Sequence, residues 1–117
     1  MQKKLLEKSI FKKIIDGDLP SDKVFENDRI LAIKDIAPVA PVHLLIIPKK
    51  CIESIQKIQP EDLPLLQEVV AVAQKLAEEY GVSEGYRLLT NCGSEAGQTI
   101  FHLHFHLIGG RALGPMA

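Results

Sequence analysis

Apolar and polar positions divide the 117-residue chain into short stretches of contrasting period. Ile10, Phe11, Ile14 and Ile15 recur at helical spacing behind Ser9, a good helix cap, and ahead of Gly17, a good helix stop. A short helix over residues 9–16 is predicted, too short to persist unless it docks on another element. After turn residues Asp18, Pro20 and Ser21, Val24-Phe25 and residues 30–33 read as strands joined through residues 26–29. Pro38 and Pro41 interrupt the chain before residues 43–47, which are almost continuously apolar up to Pro48, as in a strand buried on both faces. The long helix follows. Pro60, Glu61 and Asp62 suit its first turn, Leu66, Val69, Val70, Ala73, Leu76, Ala77 and Tyr80 form its apolar stripe, and Gly81 ends it. Residues 86–90 read as a strand, 91–98 as a glycine-containing loop and 99–108 as the last strand. The pattern is that of an α+β domain over residues 1–117, with one short and one long helix.

Composition narrows the class. Hydrophobic residues make up 46% of the chain, enough for one core. The 14 basic and 15 acidic residues nearly cancel, and Lys3, Lys4 and Lys8 are scattered while Lys49-Lys50 is only a pair, so neither a nucleic acid nor a membrane surface is an expected partner. No apolar run has the length of a signal peptide's core or of a membrane span. Cys51 and Cys92 show no metal-site or redox spacing and read as free thiols of a cytoplasmic protein.

Chemistry concentrates near the C-terminus, in Phe101-His102-Leu103-His104-Phe105-His106-Leu107-Ile108. Strict alternation puts His102, His104 and His106 on one face of a strand and Leu103, Phe105 and Leu107 on the other, in the core. Histidine is no favoured strand former, so three in register are costly unless used. Two uses fit. Alternate histidines can ligate zinc, with His43 as a possible third ligand, although the outer pair lies about 13 Å apart along a strand and cannot share one ion easily. Alternatively an imidazole whose other nitrogen is held by an acceptor is a nucleophile near neutral pH, and the middle position is the best supported. The preceding loop favours the second use. Gly93 and Gly97 let backbone N–H groups approach an anion, Thr99 offers a hydroxyl, and Asn91 and Gln98 offer amides, although the P-loop pattern is absent.

His102-Leu103-His104-Phe105-His106-Leu107-Ile108 resembles the signature of the histidine triad family, alternating histidine and apolar residues and closing on two apolar ones. Residues 10–15 resemble the family's opening helix, and Asp35-Ile36-Ala37-Pro38 and Pro41-Val42-His43 its middle strands. Ile47-Pro48-Lys49-Lys50 and Gly109-Gly110-Arg111 are most similar to its Hint branch, the purine nucleoside phosphoramidase-like proteins. The resemblance implies a HIT-like fold with an antiparallel sheet of about five strands, extended across a homodimer. It implies hydrolysis of a nucleoside 5′-phosphoramidate without metal or cofactor. His104 would attack phosphorus, His106 would contact the phosphate, and His43 and His102 would support them. Asn91, Gly97, Gln98 and Thr99 would hold the phosphate and leaving group, Asp35 the ribose, and Phe11, Ile14, Ile33 and Ile36 the base. The chain departs from the branch in Cys51 where a histidine is common, in Thr99 for serine, and in a tail without tryptophan. Residues 94–99 also resemble the Fhit-like dinucleoside polyphosphate hydrolases.

Overall fold

A computed structural model describes residues 9–116, so Lys3, Lys4 and Lys8 lie outside the described residues. Helix α1 (Ile10–Ile15) begins where expected, with the Ser9 hydroxyl accepting from the Lys12 N–H at 3.0 Å. Five strands follow: β1 (Lys23–Glu26), β2 (Ile30–Lys34), β3 (Val42–Pro48), β4 (Tyr86–Leu89) and β5 (Phe105–Gly109), with helix α2 (Leu63–Glu79) between β3 and β4. They form one antiparallel sheet in the order β1-β2-β3-β5-β4, which places β3 and β5 at its centre. No helix among the described residues is long and apolar enough to cross a membrane.

The sheet sorts its side chains by the two-residue period of strands. Ile30, Ala32, Leu44, Ile46, Phe105 and Leu107 point to one face and pack on Val69, Val72, Ala73, Leu76 and Ala77 of α2. Leu31, Ile33, Leu45 and Ile47 point to the other, where Phe11 and Ile14 of α1 cover them. Strand β3 is therefore buried on both faces, as its unbroken apolar run implies. On α2 the expected stripe is corrected at one position: Val70 is exposed and Val72 is buried in its place. Residues Pro60–Asp62 form a separate 3-10 turn before α2. There the Asp62 carboxylate accepts from the Gln59 N–H and pairs with Lys50.

The last strand is shorter than its alternation suggests. Residues 99–104 lie outside it, and β5 starts at Phe105. The reason is the partner strand. Ile46 pairs with Phe105, so two further steps would set Leu103 against Pro48, which has no N–H to give. Leu103 N–H bonds instead to the Ile52 carbonyl at 2.6 Å. The sorting of faces persists without the ladder, since Leu103 joins Phe105 and Leu107 in the α2-facing core.

Candidate active site

The histidines collect on the α1 face of the sheet, beside a cavity of about 250 Å³. His43 lies on β3 and His106 on β5, two residues apart in register and so on one face, because Leu45 pairs with His106. His104 stands just before β5, and His104 and His106 line the cavity. Burial is pronounced: His43, His102 and His104 are 7%, 2% and 8% exposed.

Hydrogen bonds define where each proton resides. The Val39 N–H donates to Nδ1 of His43 at 3.1 Å, so the His43 proton belongs on Nε2. Nε2 lies 2.9 Å from Nδ1 of His106 and 3.4 Å from the Asp35 carboxylate. It therefore donates to His106, whose own proton is left on Nε2. Nδ1–H of His104 donates to the His102 carbonyl at 2.7 Å, which leaves Nε2 of His104 with a free lone pair. Nε2–H of His102 donates to the Pro48 carbonyl at 2.7 Å. The ring of His104 is also wedged by the edge of Phe11, their centroids 4.8 Å apart.

Burial favours the neutral form of His102, His104 and His106. It pushes His102 and His104 below the ordinary value, against the raising effect of the carbonyl each one bonds. His106 falls to about 4, first through burial and then through the neighbouring His104 and His43.

One cluster has the composition of a metal site. Asp35, His43 and His106 each bring a ligand atom within 4.8 Å of the others, and so supply in space the carboxylate that is missing from the motif itself. The donor set suits a proton better than a metal. An ion on Nε2 of His43 would need that nitrogen bare while the Val39 N–H already occupies Nδ1, leaving an imidazole without a proton.

The remaining sequence candidates divide. Phe11, Ile14 and Ile33 form an apolar wall of the cavity, and Ile36 stands fully exposed at its rim. Asp35, Asn91, Gly97 and Thr99 line its polar side. Gln98 is not among the lining residues. It is buried, its carbonyl oxygen accepts from the Gly93 N–H at 2.8 Å, and its amide donates to the carbonyls of Glu53 at 2.8 Å and Ile100 at 3.0 Å. Its position is that of a brace within the loop. The glycine loop is likewise no open cradle, because the N–H groups of Ala96, Gly97 and Gln98 close back onto Gly93 and Ser94. Gly97 takes a left-handed conformation, φ +97°, to end that turn.

His43 and His102 support the lining histidines from behind. Lys49 and Lys50 are held by Glu26 and Asp62. Cys92 is exposed rather than core filler, and its thiol contacts Ser54. Sequence reasoning missed Ile10, Lys34, Leu45 and Ile100, which also line the cavity. Leu45 was findable, since it is two residues from His43 on a strand and so shares its face. Lys34 and Ile100 carry no local signal.

Known proteins share this arrangement. A family model described as "Scavenger mRNA decapping enzyme C-term binding" matches residues 8–116. A HIT-like protein of Chlamydia pneumoniae is 52% identical over 109 residues, covering 93% of this chain and 99% of that protein. The purine nucleoside phosphoramidase of Escherichia coli K12 is 44% identical over 113 residues, covering 96% and 95%. A solved HIT family hydrolase from Clostridium thermocellum superposes with a TM-score of 0.90 at 50% identity, covering 95% of this chain and 97% of that one. Matches of this extent, over a chain with the histidine signature at its site, show that the chain belongs to the histidine triad family.

Proposed function

We propose that this protein hydrolyses purine nucleoside 5′-phosphoramidates through a nucleotidyl-histidine intermediate on His104. The observation that carries the reading is the bond from Nδ1–H of His104 to the His102 carbonyl, which leaves Nε2 bare in a residue that lines the cavity. The relation to the purine nucleoside phosphoramidase of Escherichia coli supports the choice of substrate. Phe11, Ile14, Ile33 and Ile36 take the base, Asp35 takes the ribose hydroxyls, and Asn91, Gly97 and Thr99 flank the phosphate. Gln98 contributes by bracing their loop.

Nε2 of His104 forms a bond to phosphorus as the phosphorus–nitrogen bond breaks. The amine leaves with its electron pair and takes up one proton from solvent water, while His43 and His106 stay neutral. His106 presents Nε2–H to a phosphate oxygen. Water then attacks phosphorus as the bond to Nε2 of His104 breaks, and its surplus proton returns to solvent, giving the nucleoside monophosphate and free, neutral His104. No step calls for a metal or another cofactor. The working unit is a two-fold homodimer in the cytoplasm, with the sheet extended through one of its two edge strands, β1 or β4. Sedimentation equilibrium should return twice the chain mass.

The test is a turnover screen of adenosine 5′-phosphoramidate against diadenosine polyphosphates, with and without exhaustive EDTA. Amine release that survives EDTA, together with a nucleotidyl adduct on His104 in rapidly quenched samples, is the expected result. Preference for the polyphosphates would replace the substrate class. Loss of activity in EDTA with recovery on stoichiometric zinc would replace the mechanism.

A further inference from the structure

Thr90 follows β4 directly and precedes Asn91, which lines the cavity. Its hydroxyl donates to the His104 carbonyl at 2.6 Å. Backbone pairing cannot do this work. The β4 ladder ends at Leu89 with His106, and the β3 ladder ends at Ile46 with Phe105. His104 itself therefore has no ladder partner on either side, although Phe105 next to it is paired with Ile46. What holds it is the Thr90 hydroxyl on its carbonyl and, on its ring, the His102 carbonyl.

We propose that Thr90 is a positioning residue for the nucleophile: its hydroxyl fixes the His104 carbonyl and thereby where Nε2 of His104 stands relative to the phosphorus. The inference rests on the reading of His104 as nucleophile. Hydrogen bonding of the imidazole sets which nitrogen attacks, whereas Thr90 sets from where. Without the hydroxyl the carbonyl loses that partner and His104, which has no ladder pairing of its own, can shift. A misplacement of about 1 Å costs on the order of a hundredfold in rate, so a partial shift should cost about tenfold or more. The competing reading is that threonine is there as a β-branched residue suited to a strand end, with its methyl group as the useful part.

Three variants separate these readings: Thr90→Val keeps the shape and removes the hydroxyl, Thr90→Ser keeps the hydroxyl and removes the methyl, and Thr90→Ala removes both. Each is measured for amine release in the first turnover of adenosine 5′-phosphoramidate, for AMP affinity, for thermal midpoint, and for the His104 ring in long-range ¹H–¹⁵N spectra. Thr90→Val is expected to slow the first turnover at least about tenfold, ~1.4 kcal/mol of barrier. AMP affinity should stay within about threefold, and Thr90→Ser should stay close to wild type. The His104 ring signals should move or broaden in Thr90→Val and not in Thr90→Ser. If Thr90→Val does not fold, Thr90→Ser against Thr90→Ala makes the same comparison. A folded Thr90→Val that keeps the wild-type first-turnover rate overturns the inference, as does equal slowing by Val and Ser, or a lowered midpoint with an unchanged rate. If the wild type itself releases no amine, the proposed activity has failed, and the ring spectra still decide whether Thr90 holds His104.

Discussion

The two faces of the central sheet are made from the same strands, yet they differ in kind. Toward α2 the strands present Ile30, Ala32, Leu44, Ile46, Phe105 and Leu107, and the helix answers with more apolar residues. Toward α1 the neighbouring positions on the same strands include His43 and His106, and the helix covers only part of the face. The first face stabilises the fold by removing apolar surface from water. The second gives up part of that burial to hold a cavity, and its buried polar groups are tolerable because each has a hydrogen-bond partner: Val39 N–H for His43, the Pro48 carbonyl for His102, the His102 carbonyl for His104. One face carries stability and the other carries chemistry, and substitutions should show the split.

The largest effect is expected on the α1 face. His104→Asn removes the proposed nucleophile and should lower kcat at least roughly a thousandfold, with circular dichroism and thermal midpoint near wild type. A folded variant retaining a tenth of the activity would remove His104 from its role. The mirror experiment is Leu76→Ala under the α2 face, where Leu76 is completely buried. It should cost about 2–5 kcal/mol in denaturant unfolding and leave kcat per folded molecule within about twofold of wild type. A large kcat loss without a stability loss would break the division between the faces.

Asp35 sharpens the comparison, because it is a carboxylate at the cavity whose Oδ1 accepts from the Ala37 N–H at 2.8 Å and whose Oδ2 faces His43. As the ribose acceptor it should make the wild type prefer ribo- over 2′-deoxyribonucleotides by about ten- to a hundredfold in kcat/KM. In Asp35→Ala that preference should shrink toward unity. An unchanged ratio in a folded protein would confine Asp35 to its turn and its contact with His43.

On the α1 face, proton linkage runs through His106. His106 titrates at about 4 in the fold against an ordinary 6.5. Between those values the unfolded chain binds a proton that the folded chain refuses. Stability therefore falls as pH drops from about 6.5 toward 4, and this contribution levels off below. Because burial also lowers His104, the acid limb of kcat/KM should lie below pH 6.5. Urea unfolding across this range should show the slope, and an acid limb above 6.5 would contradict a neutral, buried nucleophile.

Local pattern determined a good deal about this protein. The caps of α1, the double burial of β3 and the sorting of Leu103, Phe105 and Leu107 away from the histidines all follow from period and from single-residue chemistry, which act over a few residues and so are written locally. The histidine signature also carried the family. Other features were decided only when distant segments met. Pro48 stops the ladder, so that β5 begins only at Phe105, although the alternation reaches back to His102. Val72 rather than Val70 is buried, because the direction from which the sheet covers α2 is a property of the packed pair and not of the helix. Gln98 turns inward because Glu53, distant in sequence, offers it a carbonyl. The proton positions on His43 and His104, and the reach of Thr90 to the nucleophile's carbonyl, depend on single hydrogen bonds whose partners no period or spacing names. Alternation tells which side of the sheet a side chain takes, while hydrogen bonds a few ångströms long tell which nitrogen is bare, and only the folded chain brings those partners within reach.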